Sequence, residues 1–311
     1  MKNSLFFLIL MFFVNISACI APRTIMDSGR VTPYKDYRIA ADMKANIPVE
    51  TSKNLYSTFQ DGVDHLKAIS KGEDSKLTGE KGIEELDKLT KTMLLFSVDP
   101  LWQGAVFRFR YGFHPGFDAG YRYDIGVHAI DLRWQFMGKF KDKNSLYREY
   151  FSSGNDKWFG SIGFQISHQS FDLPSYFGDL QDILGYEFVR EDLVIPIIFS
   201  YSIGEHEKYG SLGFGLVYNL ARNKYGFSSQ KIQELFSQSL EEEGVNIPTG
   251  DNLIHAFGGF VNGKIGFKYA YIVASFAVYY QNYGKYRLFG TKTYSFSGLT
   301  FIPSIGIQGE F

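Results

Sequence analysis

The chain has 311 residues, 45% of them hydrophobic, and a net charge of −1 with basic residues scattered singly. That length allows one large domain or two modest ones, and the balanced charge offers no footprint for a phosphate backbone, which speaks against nucleic-acid binding. The 30 Phe, 21 Tyr and 32 Gly are high for a cytosolic globular protein and common where rings anchor at a membrane interface.

Lys2, an apolar run from Leu5 to Val14 and small residues ending at Cys19 have the layout of a secretory signal, too short for a spanning helix. Residues Ile16, Ser17, Ala18 and Cys19 resemble the lipobox of bacterial lipoproteins. The resemblance implies cleavage before Cys19, acyl chains such as palmitate on it and, with Ile rather than Asp at position 20, sorting to the outer membrane. On this reading residues 1–18 are the signal peptide and 19–35 a lipidated linker in the periplasm, its anchor in the periplasmic leaflet. Cys19 is also the only cysteine, so one copy forms no disulfide and no thiolate metal site.

From residue 36 onward the dominant signal is alternation, the period of strands with two unlike faces. The first predicted strand, Tyr37 to Ile47, sets Tyr37, Ile39, Met43 and Ile47 against Arg38, Asp42, Lys44 and Asn46. The second, 103–111, sets Phe107, Phe109 and Tyr111 against Arg108 and Arg110. The third, 117–125, opposes Tyr121 and Tyr123 to Asp118, Arg122 and Asp124, and the fourth, 130–136, opposes Leu132 and Trp134 to Asp131 and Arg133. Strands follow at 158–167, 193–203, 211–220 and 271–280, with a second face of Gly, Ser and other uncharged residues. Between the last two, 254–267 carries glycines on both faces, which leaves its register open. The tenth strand, 301–311, puts Phe301, Ile305, Ile307 and Phe311 on one face.

Each clear segment has the length a tilted strand needs to cross a hydrocarbon layer, and none puts a charge on its apolar face, where it would cost roughly 2–4 kcal/mol at mid-membrane. Counted from a periplasmic N-terminus, the connections at 48–102, 168–192, 221–253 and 281–293 face outside and are long. Those at 112–116, 204–210 and 268–270 face the periplasm and are short, as in bacterial barrels. The exceptions are 126–129, short outside, and 138–157, long inside. Helical spacing recurs within the long connections: Leu55, Phe59, Val63, Leu66 and Ile69; Ile83, Leu86, Leu89 and Met93; Ile232, Leu235, Phe236 and Leu240.

The fold expected is all-β: a closed antiparallel transmembrane β-barrel of about ten strands over 36–311, with a helical insertion at 49–101 and short helices in the extracellular loops. Phe311, a terminal aromatic on an alternating strand, resembles the C-terminal signature that outer-membrane barrels present to the barrel assembly machinery. The hairpin of Arg110, Tyr111 and Gly112 with Gly116 to Tyr121, taken with Ala21 to Thr24, resembles a group of uncharacterised outer-membrane lipoproteins. That resemblance implies fold and location and no activity.

The polar faces of the first four strands turn Arg38, Asp42, Lys44, Arg108, Arg110, Asp118, Arg122, Asp124, Asp131 and Arg133 toward the lumen. Their signs nearly balance, so the economical expectation is a paired interior network. The alternative is a narrow polar conduit facing Gly163, Ser200, Gly213, Gly215 and Ser275. His168 and Ser170 stand two apart at the outer end of the fifth strand, on its lipid side. They resemble the His-x-Ser pair of outer-membrane lipid A deacylases, in which His activates Ser toward an ester. Asp172, Glu187 and Asp192 are the nearby carboxylates that could orient the His. The six histidines show no metal-ligand spacing, and no phosphate loop is present, so no metal and no cofactor is expected. The partners expected are outer-membrane lipid, the assembly machinery and a surface protein or glycan that meets the outer loops.

Overall fold

A computed structural model describes residues 23–52, 87, 90–91, 93–95, 97–124, 126–141, 147–150, 157–171, 185–227, 248–267, 269–288 and 293–311. The strands are β1 (Tyr37–Pro48), β2 (Trp102–His114), β3 (Phe117–Asp124), β4 (Val127–Lys141), β5 (Tyr147–Tyr150), β6 (Trp158–Phe171), β7 (Tyr186–Ile203), β8 (Gly210–Phe227), β9 (Thr249–Phe267), β10 (Ala270–Arg287) and β11 (Thr293–Glu310). Ten pair in a closed antiparallel ring, running from β1 through β2, β3, β4, β6, β7, β8, β9, β10 and β11. The seam pairs Arg38 with Glu310 and Lys44 with Ser304, and below it Tyr37 and Phe311 exchange backbone hydrogen bonds of 2.8 and 2.9 Å. A closed ring leaves no unpaired edge, which is the condition for placing sheet in hydrocarbon.

All ten predicted strands are present, with two differences at their edges. Strands β7 to β11 run several residues beyond the apolar alternation, because backbone pairing continues where outward residues turn charged: Glu187, Glu191, Arg222, Lys224 and Asp251. The connection expected at 138–157 contains a short hairpin, in which Gly138 to Lys141 pair with Tyr150 to Tyr147. Four residues are too few for an alternation signal to rise above background. The connection expected at 126–129 contracts to a two-residue turn, since Asp124 already pairs with Val127. Gly126 takes φ +86° there, a left-handed conformation that glycine adopts without strain. The open register is set as well: Gly258 lies between Val217 and Tyr279, with the Tyr279 ring filling the space a side chain would occupy.

Two ends can be distinguished. The near end carries Tyr37, Phe311 and the tight turns after β2, β7 and β9; the far end carries the connections that follow β1, β6, β8 and β10. Between them the outer wall is a belt of exposed apolar side chains, among them Ile39, Phe107, Leu132, Ile166, Leu216 and Ile265. At its near edge Phe311 stacks on Tyr37 and Tyr269, with ring centroids 5.3 and 6.2 Å apart. The predicted helices at 55–69 and 232–240, and most of that at 83–93, lie outside the described residues, as does Cys19. Residues 93–95 and 97–98 are helical, and Met93, Leu94, Leu95 and Val98 are buried over the far mouth with Tyr186, Phe188 and Tyr286.

The largest departure from the sequence reading concerns residues 23–35, expected as a linker outside the barrel. They run down its interior. Arg23, Thr24, Ile25, Met26, Val31 and Thr32 are all at most 4% exposed. Residues 23–28 have no regular secondary structure, so their backbone polar groups need partners elsewhere. Side chains of the wall supply them, as described below. At the near end the chain reverses: Lys35 adopts φ +68°, and Lys35 N–H donates to the Gly112 carbonyl at 2.7 Å. A Cβ on Gly112 would lie 2.1 Å from the Pro33 carbonyl oxygen, so only glycine lets the reversing chain lie this close. The expectation failed because a segment without alternation or helical period reads as a linker wherever it lies.

Candidate functional site

The interior is built from two unlike walls with a peptide between them. All ten charged side chains assigned to the lumen from sequence point inward, nine buried and Asp131 partly so. Arg108 binds Asp42 at 2.5 Å, and Arg110 binds Asp118 and Asp131 at 2.7 and 2.5 Å. Arg133 reaches Asp118 at 2.7 Å, Arg38 reaches Glu310 at 3.3 Å, and Lys44 pairs with Asp124. The inner peptide completes the set: Asp27 lies 3.2 Å from Arg108 and 3.7 Å from Arg110, and the Arg122 guanidinium donates to the Thr24 carbonyl at 2.7 Å. Charges this deep are tolerated only when paired and hydrogen-bonded, because removing one partner strands the other in a low dielectric.

Along its middle the opposite wall, β7 to β11, is apolar and small, with charged groups such as Arg190, Asp192 and Lys264 toward its ends. Ile25 packs there in a cluster with Val194, Ile198, Val217, Phe260, Ala277 and Ile302. Single hydroxyls and amides on this wall serve the peptide backbone: Tyr279 donates to the Arg23 carbonyl, Ser275 to Ile25 and Asn262 to Asp27, at 2.5, 2.7 and 2.8 Å. Gly29 N–H donates to Ser200 Oγ at 3.0 Å, and a Cβ on Gly29 would sit 2.5 Å from the Phe159 carbonyl oxygen. From the charged side, Val31 N–H donates to Gln135 and Thr32 N–H to Asp118, at 3.1 and 2.7 Å. A cavity of about 20 Å³ remains between Ile25, Asp27, Arg110, Arg133 and Gly163, room for about one water.

Both ends of the inner peptide are clamped by groups the sequence reading did not single out. At the far end Asp99 accepts hydrogen bonds from Arg23 and Asn46 on one oxygen. Its other oxygen accepts from Gln281, Tyr283 and Thr300. Burial alone raises its pKa, but Arg23 and the Thr300 and Asn46 bonds outweigh burial and hold the carboxyl below the ordinary 3.8. At the near end the turn Glu205–Glu207 folds inward. His206 and Glu207 take φ of 51° and 63°, left-handed values costly for side chains of this kind. In return Glu207 binds Lys264 at 2.8 Å and Ser28 Oγ at 3.0 Å, and the His206 carbonyl accepts from Arg30. Burial raises the Glu207 pKa too, while Lys264, Arg38 and Arg30 together bring it below the ordinary 4.5. Asp99 and Glu207 fall in predicted connections, where a lone carboxylate has no pattern to reveal it. Arg190, paired with Asp192 at 2.7 Å inside the far mouth, was missed, and Asp192 was named only as a possible partner of His168, because β7 begins seven residues before the predicted strand.

His168 and Ser170 lie on the outer wall of β6 near the far rim, both exposed. Neighbouring strands put His128, His168, Glu191 and Arg222 in one row across β4, β6, β7 and β8. The Glu191 carboxylate stands 3.7 Å from His168 Nδ1. It is none of the three carboxylates named from sequence; Asp192, one of those three, points into the barrel. Below the row an open groove of about 620 Å³ is lined by Ile130, Ile166, Leu193, Leu220 and Leu253. Among the described residues, no cluster of three or more potential ligands is arranged to hold a metal.

No family model matches the chain, and no curated protein matches it. Among solved structures, the outer membrane protein OprG from Pseudomonas aeruginosa aligns over 92% of this chain and 99% of its own, at 9% identity and TM-score 0.35. The outer membrane protease OmpT from Escherichia coli aligns over 94% and 100%, at 10% identity and TM-score 0.36. Neisserial surface protein A aligns over 88% and 97%, at 9% identity and TM-score 0.31. Likeness at this distance transfers no residue role and no activity. Strand pairing alone makes this chain a closed antiparallel β-barrel of ten strands with its own N-terminal segment inside.

Proposed function

We propose that the protein is a sealed barrel of the bacterial outer membrane that acts through its far face, meeting a surface protein or glycan there. The near end would face the periplasm, because short turns on that side and long connections on the other is the arrangement of bacterial barrels. The apolar belt, with aromatic rings at its near edge, supports a membrane setting. In that setting Phe311 would serve as the recognition residue for the assembly machinery, and a signal at 1–18 cleaved before Cys19 would make the chain a lipoprotein.

The observation that carries the reading is the filled lumen: among the described residues, two charged clamps and a buried peptide occupy it, and the cavity beside the peptide is about 20 Å³. This weighs against the narrow conduit. The test is conductance in planar bilayers. Wild-type protein is expected to give no open events, while a chain lacking residues 23–32 opens; steady conductance by the intact chain rejects a sealed barrel. Cross-linking on intact cells, with and without residues 228–247, tests the role of the far face, which fails if every partner persists.

One observation favours a second reading, hydrolysis of a membrane lipid ester. Glu191 stands where a carboxylate would orient His168, Ser170 follows two residues on along the same outward face, and the apolar groove could hold an acyl chain. Mass spectrometry of lipid A from cells with wild-type, Ser170→Ala or no protein decides it. Identical acylation in all three discards the enzyme.

A further inference from the structure

The inner peptide has a direction, and the direction has a consequence for the N-terminus. Its contacts step steadily along the barrel: Arg23 with Tyr279, Ile25 with Ser275, Asp27 with Asn262, Gly29 with Ser200, Thr32 with Asp118, and Lys35 with Gly112 at the near end. Tyr279 lies nine residues up β10 from Ala270, about 30 Å along the strand and about 20 Å along the axis at ordinary tilt. Arg23 therefore sits high in the barrel, under the helical residues that end at Val98, and pairs with Asp99 just beyond them.

We infer that the N-terminal segment threads the barrel, so that the chain before Arg23 leaves through the far mouth and the mature N-terminus stands on the same side as the long connections. Two magnitudes support this. Four residues from Arg23 back to Cys19, the first residue of the mature chain on the lipoprotein reading, span at most about 14 Å, less than the distance to the near end. Among the described residues, the cavity beside the peptide holds about 20 Å³, too little for a returning chain. If the lipoprotein reading holds, and this part rests on it, the acyl chains belong to the leaflet on the far side, the opposite of the leaflet expected from sequence.

The experiment places three epitopes, one per variant, in the full-length chain: after Ile20, within 228–247, and in the turn between Gly204 and Gly210. Antibody is added to intact and to permeabilised cells. Threading requires the N-terminal and 228–247 epitopes to react together under one condition and the 204–210 epitope under the other, whichever way the barrel is inserted. An N-terminal epitope that reacts together with the 204–210 epitope overturns the inference. Heat-modifiable mobility shows which variants have folded. Should the epitope after Ile20 prevent folding, Ile20→Cys in a Cys19→Ala chain, exported on a non-lipoprotein signal and probed with a membrane-impermeant maleimide, gives the same reading. Palmitate labelling of the wild type separates the two claims: no incorporation removes the lipid and leaves threading to the epitopes.

Discussion

The two walls of the lumen solve one problem in opposite ways. On β1 to β4 long charged side chains fill the interior and neutralise one another; across the middle of β7 to β11 small residues leave space, and a length of backbone fills it. The first wall takes its specificity from side-chain geometry, the second from closeness of approach, with single hydroxyls meeting a backbone carbonyl or N–H. An enclosed wall lined with small residues thus implies something against it, and here it is the chain's own N-terminal segment.

Substitutions on the two walls should break them differently. The largest effect is expected on the charged side, where Asp118→Leu leaves the Arg110 and Arg133 guanidinium groups short of their shared carboxylate. A loss of about 3–5 kcal/mol should appear as a lower unfolding midpoint in detergent. On the small side, Ile25→Ala opens a cavity in the apolar cluster and should cost about 2–4 kcal/mol by the same assay. Gly29→Val forces a side chain against the Phe159 carbonyl and should cost about 1–3 kcal/mol. Its distinguishing sign is a displaced peptide, seen as new conductance or as protease cleavage within 23–32.

Acid should act on the clamps. Asp99 and Glu207 titrate below their ordinary values of 3.8 and 4.5 in the folded protein. Their contribution is therefore complete above those values and lost as pH falls through the lower, folded ones. Unfolding midpoints should stay level from neutrality to roughly pH 5 and drop below about pH 4, and Asp99→Asn should flatten that drop. The smallest effect is expected outside. Arg222 and Asp251 pair at 2.5 Å on the exposed rim, where water and salt screen them. Arg222→Ala should leave the unfolding midpoint within error, and a clear fall would mean that the rim contributes to stability.

The barrel was legible because its strands have unlike faces. Ile39 and Arg38, or Leu132 and Arg133, differ enough that a period of two shows over a few residues, and each face has one destination. The charged half of the interior was readable for the same reason. Its occupant was not, because Arg23 to Thr32 form no repeating structure and take their order from partners up to 256 residues away. Asp99 and Glu207 were hidden likewise: each acts as a single residue at a turn or helix end. On the outer wall the pair His168 and Ser170 stood out by spacing, but the carboxylate beside them is set by cross-strand register, which places Glu191 opposite His168.

The seam between Tyr37 and Phe311 acquires a further meaning from the peptide it follows. Residues 23–35 lead directly into β1, so the peptide is tethered at the near end, where the first and last strands meet. A ring closed with this segment outside would leave Arg108 and Arg110 without Asp27, and the Tyr279 and Ser275 hydroxyls without the carbonyls they serve. Pairing of the first and last strands is therefore more favourable with the leading residues inside, and the segment that fills the interior also rewards its closure.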